Sequence, residues 1–174
     1  MPDVALVSIF CPDRTGLIAA IAGRLFDLGV NLGDTSFSVL GAGAKFTAVC
    51  ELPSGLGIDD LDRELSGVEE LSDAEINVTP FTLDQIHGAS GTITQRITVR
   101  GGDQPGLIAR LCEVLIEYNA NIVRLNAEKT LDDDYVIRLS VNIPKAGAAA
   151  CLATVANTAE GMQLTCETEN IDAE

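Results

Sequence analysis

The sequence predicts an α+β fold built twice, as two small domains that each pair a four-stranded antiparallel sheet with two helices on one face. Three observations carry this reading. DRTGLIAAIAGRLFDLGVNL (13–32) returns ninety residues later as DQPGLIARLCEVLIEYNANI (103–122), with seven of twenty positions identical. A period this long marks a duplicated domain, since solenoid repeats run at about 20–50 residues. The strand-like and helix-like patterns follow in the same order in both halves, and the chain is 47% hydrophobic and 21% charged, the balance of a core-forming protein.

The first element of each copy is a strand. VALVSIF (4–10) is a β-branched and aromatic run, and ITQRITVR (93–100) alternates Ile93, Ile97 and Val99 with Thr94, Arg96, Thr98 and Arg100. A helix follows, because Leu17, Ile21, Leu25 and Leu28 recur at helical spacing, as do Leu107, Leu111, Leu115 and Tyr118. Pro105 suits a first helical turn, and Gly29 and Asn119 suit left-handed C-terminal caps. The second and third strands, NLGDTSFSVL (31–40) with AKFTAVCEL (44–52) and NIVRLNAEKT (121–130) with DYVIRLSVNI (134–143), are joined by GAG and LDDD turns that favour hairpins. Pro53 and Pro144 end the third strands. IDDLDRELSGV (58–68) and AGAAACLATVANTA (146–159) then read as second helices, and AEINVTPF (74–81) and MQLTCETEN (162–170) as fourth strands.

The order βαββαβ, twice, gives the ferredoxin-like split βαβ. Domain one is expected over 1–82 and domain two over 93–174, joined by the Gly-, Ser- and Thr-bearing linker 83–92. The uncovered sheet face, expected to carry residues such as Phe37, Val39, Phe46 and Val136, has to be solvated or buried. The two copies are therefore expected to pack on each other, and the protein to form a homo-oligomer.

Composition excludes several functions. The formal charge is 11 − 26 = −15, with 4 basic and 14 acidic residues in 1–87 and 7 and 12 in 88–174. Nucleic-acid binding needs clustered cations to release phosphate counterions, so no direct DNA or RNA contact is expected. RNA-binding sheets also stack bases on aromatics, which make up 4% of this chain. The five cysteines contain no Cys-x-x-Cys pair, and His87 is the one histidine. No metal site, no cofactor and no catalytic residue is expected, since Walker and G-x-S-x-G loops are also missing. No apolar run is long enough for a membrane span and Asp3 stands where a signal peptide carries a cation, so the reading is no membrane and a cytoplasmic location.

The repeated turn is the one candidate site. Gly16 and Gly106 stand between strand one and helix one, where unpaired amides and the helix dipole favour an anion. The glycines equally suit a close helix–strand approach or an unusual backbone angle. Asp13 and Asp103 could pair with an ammonium or cap the helix, the latter worth about 1 kcal/mol. Asn31 and Asn121 open strand two, where an amide can hold a small zwitterion or close its own turn.

The D-x-[TP]-G-L-I-A turn, its amphipathic helix, the following [AV]-N-[IL] and the βαββαβ order resemble the ACT domain, a small amino-acid-sensing regulatory module. The resemblance covers both copies. The tandem layout without a catalytic domain is similar to the glycine cleavage system transcriptional repressor family. It implies a non-enzymatic regulator that binds a small effector, commonly an amino acid, where ACT domains meet, and acts through a regulatory protein partner. Carried over by position, the effector residues are Asp13, Arg14, Thr15, Gly16 and Asn31 in copy one and Asp103, Gln104, Pro105, Gly106 and Asn121 in copy two. The Arg14-Thr15 and Gln104-Pro105 difference allows the two copies different ligands. The competing reading is a ligand-free module whose sheets serve only assembly.

Overall fold

The computed structural model describes residues 3–132 and 134–171. The chain divides into two compact units, Met1–Gln85 and Ile86–Glu174. The first contains β1 (Val4–Pro12), α1 (Leu17–Asp27), β2 (Asn31–Leu40), β3 (Gly43–Glu51), α2 (Ile58–Ser66) and β4 (Glu75–Pro80). The second repeats the order as β5 (Gln95–Gly102), α3 (Leu107–Glu117), β6 (Asn121–Lys129), β7 (Asp134–Asn142), α4 (Ala148–Gly161) and β8 (Thr165–Asn170). Both sheets are wholly antiparallel, ordered β2-β3-β1-β4 and β6-β7-β5-β8. The split βαβ fold thus forms twice.

Strand alternation decides which side chains meet the helices. In β3, Ala44, Phe46, Ala48 and Cys50 are buried while Lys45, Thr47, Val49 and Glu51 stand on the other face. Ala5, Val7, Ile9 and Cys11 of β1 join them, and Leu17, Ile21 and Leu25 of α1 with Leu61 and Leu65 of α2 close the core. Unit two builds the same layer from Ile97, Val99, Ile137, Leu139 and Val141 under Leu107, Leu111, Leu115, Cys151 and Val155. The helices are tied by Arg24 pairing with Glu64 in unit one and by Tyr118 sharing a 2.8 Å hydrogen bond with Thr154 in unit two. Gly29 and Asn119 take the left-handed angles of C-terminal caps.

Two sequence expectations need correction here. Phe46 does not lie on the open face: it is 2% exposed, and Phe37, directly opposite it, packs on the same core. Val39 opposes buried Ala44 and so shares the helix side, at the exposed sheet edge. Only Val136 faces away from the helices, since its neighbours Ile137 and Tyr135 belong to the core. Pro105 does not enter helix α3, which begins at Leu107 after Gly106.

All five thiols are free, and burial raises each above its ordinary value, Cys50 to about 11. A raised folded-state value means the core retains the proton more tightly than the unfolded chain does. The associated stability is complete below the unfolded value of about 8.5 and disappears as pH rises through the folded one. Melting followed by circular dichroism is expected to show a falling Tm between pH 9 and about 11. Cys50→Ala should flatten that fall without abolishing it, because the other four thiols titrate in the same direction.

Candidate functional site

The repeated turn owes its residues to a defined geometry. The Leu17 amide donates to Arg14 O at 3.4 Å and the Leu107 amide to Gln104 O at 3.4 Å, closing four-residue turns over 14–17 and 104–107. Their third residues have φ 91°, ψ −6° at Gly16 and φ 80°, ψ 4° at Gly106. These are the angles of the third position of a type II turn, which favours glycine there and proline just before it. Copy two has that proline, Pro105, and copy one has Thr15. A β-carbon on Gly16 or Gly106 would meet nothing within 4 Å, so close packing is not why glycine stands there. Backbone angle is the reason. Thr15→Pro is accordingly expected to stabilise unit one by about 0.5–1 kcal/mol, read from urea unfolding by circular dichroism.

Asp13 and Asp103 do not cap the helices. The N-cap positions are Gly16 and Gly106, three residues further on, with no side-chain cap bond and no acidic residue in the first turn. Asp13 is fixed instead through its backbone, its N–H donating to Ala42 O at 2.9 Å in the β2–β3 turn. The first residue of each turn also has structural work. Arg14 reaches Asp73 at 3.7 Å, and Gln104 Nε2 donates to Met162 O at 2.8 Å, so each turn is tied to the chain entering the last strand. The helix amides remain. Ala20 and Arg110 find the Gly16 and Gly106 carbonyls at 2.9 and 3.0 Å, but the preceding first-turn amides have no helical acceptor. Exposed N–H groups at the positive end of a dipole can seat a carboxylate.

Within one unit the turn and the asparagine are not brought together. Asn31 opposes Glu51, which opposes Val4 at the start of β1, whereas the turn follows Pro12 at its far end. Eight residue steps separate those ends, about 27 Å. Helix α1 carries the chain back along the sheet, so Asn31 begins β2 where β1 began. Asn121 lies far from Asp103 and Gly106 for the same reason. A small zwitterion cannot touch both in one domain.

Each asparagine has its own surroundings. Asn31 Nδ2 donates to Glu51 Oε2 at 3.1 Å on an exposed edge. Asn121 Nδ2 donates to Ser90 O at 2.8 Å, and its cross-strand neighbour Asn142 donates to Thr92 O at 2.7 Å and Ala89 O at 3.3 Å. Glu51 and Asn142 are the residues that sequence reasoning missed, because finding them requires the register of each hairpin. Among the described residues there is no cluster of three or more His, Cys, Asp or Glu suited to a metal, and no helix is long and apolar enough to cross a membrane.

Two βαββαβ units, each with this glycine turn, define the class as a tandem ferredoxin-like fold. Residues 96–169, the body of unit two, match the family profile of the ACT domain. The fold is shared along its whole length with an unknown protein from Galdieria sulphuraria, at TM-score 0.76 and 18% identity over 99% of this chain and 100% of that one. It is shared as well with a candidate glycine cleavage system transcriptional repressor, at TM-score 0.71 and 12% identity over 99% of both chains. At these identities the likeness is one of fold. No curated protein sequence matches the chain significantly.

Proposed function

We propose that this protein is a non-catalytic regulator that binds a small zwitterionic effector, an amino acid, and thereby changes its fit to a regulatory protein partner. The observation that carries the reading is the uncapped first helical turn behind each left-handed glycine, in a chain whose second unit matches the ACT domain. The effector carboxylate would take the free amides, and its ammonium the Asn31–Glu51 pair. Since one domain cannot present both ends to one small molecule, the effector would be held between two such domains, and we take the protein to form a homo-oligomer. Fold likeness to a candidate glycine cleavage repressor supports transcriptional control of amino-acid metabolism, such as glycine cleavage, as the setting. The −15 charge supports regulation through a protein rather than by direct nucleic-acid contact, and the compartment we propose is the cytoplasm.

Calorimetric titration with the twenty standard amino acids tests the reading. Saturable binding of at least one at millimolar concentration is expected, and no heat from any of them would refute it. A ligand acts as a switch only if it favours one arrangement over another, so small-angle scattering should also change on saturation. A second reading, a ligand-free assembly module, draws on the side chains of Arg14, Gln104 and Asn121 being committed to structural contacts. It predicts that Gly16→Ala alters stability and nothing else.

A further inference from the structure

The outward side of α1 carries no charge and no hydrogen-bonding side chain. Leu17, Ile21 and Leu25 are buried against the sheet, and Arg24 turns to Glu64 of α2. The opposite side is left to Ile18, Ala19, Ala22, Gly23 and Phe26, with Ile18 46% and Phe26 81% exposed. One exposed aromatic in isolation is ordinary. Here it ends a continuous apolar strip: Ile18, Ala22 and Phe26 form a ridge, and Ala19 and Gly23 beside them a groove that closes at exposed Asp27. Nothing inside the unit requires the glycine. A β-carbon on Gly23 would meet nothing within 4 Å, and glycine in a helix interior is less stable than alanine.

Helix α3 meets its own sheet through the same positions and shows a solvated outer side. Leu107, Leu111 and Leu115 take the places of Leu17, Ile21 and Leu25. Ile116 stands for Phe26 and is 71% exposed, but Arg110 and Glu113, both exposed, stand for Ala20 and Gly23. The groove row of unit two thus reads Ala109, Glu113, Glu117 and is filled by carboxylates. Core packing is alike in the two helices, so it does not account for the bare face of α1.

Charge and size select what fits there. Residues 1–87 hold 4 basic and 14 acidic side chains, 4 − 14 = −10, and six of the acidic ones lie in 58–70, on α2 and just after it, with Arg63 as the one cation of that stretch. Two copies of so acidic a unit repel each other, whereas a partner rich in Lys and Arg is drawn in. The strip runs eight residue steps from Ile18 to Phe26, about 12 Å. That is the footprint of a few turns of helix, well short of the roughly 800 Å² per partner that a stable pair of domains buries.

We infer that the outer face of α1 is a docking groove for a cationic amphipathic helix of a protein partner. The apolar side of that helix lies on Ile18, Ala22 and Phe26, its backbone closes on Gly23, and its Lys and Arg side chains meet Asp27 and the acidic residues of α2. This rests on the protein partner of the reading above, not on the effector, and adds which surface the partner meets and what it presents.

The probe is a synthetic peptide of about 18 residues with leucines at helical spacing and lysines between them, beside a counterpart with glutamates for lysines. Fluorescence anisotropy with the full chain should show saturable binding of the Leu/Lys peptide and none of the Leu/Glu peptide, with amide chemical-shift changes concentrated in α1. Phe26→Gln and Gly23→Gln, which leave the charge unchanged, should each weaken binding at least about tenfold, while Ile116→Gln on α3 should leave it within about twofold. In the free protein Phe26→Gln should keep the Tm within about 2 °C and the sedimentation coefficient unchanged, because the face is open. Equal affinity in Phe26→Gln, or shifts spread over both units, would leave charge alone as the source of binding and overturn the groove, as would no binding at all. A larger fall in Tm, or dissociation of an oligomer in Phe26→Gln, would show the face already covered by the chain itself or by a second copy and would overturn it too. Amino-acid titration keeps the effector reading separate: no heat in the parent chain would refute the effector and leave the groove standing.

Discussion

Phe46→Ala is expected to destabilise the first unit by about 3–5 kcal/mol, the range for emptying a buried aromatic site. Phe46 is 2% exposed at the centre of β3 and is among the largest fully buried side chains of the chain. Its neighbours across the sheet are Ile9 and Phe37, both on the helix side, and its near neighbours in β3 are Ala44 and Ala48. Small residues on either side leave one large ring to fill the space beneath α1 and α2, and alanines cannot expand into the cavity. The loss is a large share of the 5–15 kcal/mol that holds a typical domain. Guanidinium unfolding of the full chain, followed by circular dichroism, should show the transition of one unit moved to much lower denaturant. A cost under about 1 kcal/mol would mean that Phe46 stands on the open face.

That outcome separates what the sequence reveals from what it conceals. The duplicated turn, the helix stripes and the β-branched runs specify local structure, and the elements form where those patterns lie. The face a strand presents depends on phase as well as pattern. AKFTAVCEL holds Ala, Phe, Ala and Cys at alternate positions with Lys, Thr, Val and Glu between them, so the buried side of β3 is legible. Phe37 is harder to place. It lies in NLGDTSFSVL, where both phases carry polar residues and the edge position leaves most side chains exposed.

Register explains why only part of the site is legible. Folding each hairpin about its turn would set Asn31 opposite Leu52 and Asn121 opposite Ile143. Irregularities between Leu32 and Thr35 and between Ile122 and Arg124 shift the pairing by one, to Glu51 and Asn142. A one-residue slip exchanges the two faces of a strand, so it changes the partner from apolar to polar. A bulge has no firm sequence mark, and neither Glu51 nor Asn142 could be assigned without it. The distance between turn and asparagine is different in kind. Eleven helical residues returning along a nine-residue strand already imply opposite ends of the sheet, an inference available from element order alone.

Gly101→Ala is expected to cost about 2–3 kcal/mol, more than Gly106→Ala five residues later at about 1 kcal/mol, although each adds a single methyl group. At Gly106 the penalty is conformational: φ is 80° and a β-carbon there meets nothing within 4 Å. At Gly101, where φ is 158°, a steric penalty is added to the conformational one. A β-carbon would stand 2.4 Å from Leu164 Cδ2, 3.3 Å from Leu164 Cα and 3.4 Å from Gln163 O. Rotating the leucine side chain relieves the first contact but not the two to backbone. Leu164 is buried and its N–H is fixed to Ala159 O at 2.9 Å, while Gln163 already holds a positive φ of 62°. The segment between α4 and β8 therefore has to move as a piece. Because Gln104 is bonded to Met162 O in that segment, Gly101→Ala should also loosen the second glycine turn. Guanidinium unfolding of the two variants gives the energies, and exchange of the Leu107 amide reports the turn. Equal costs, with Leu107 protection unchanged, would show that the clash is absorbed by the leucine rotamer alone and that the two ends of this tie are independent.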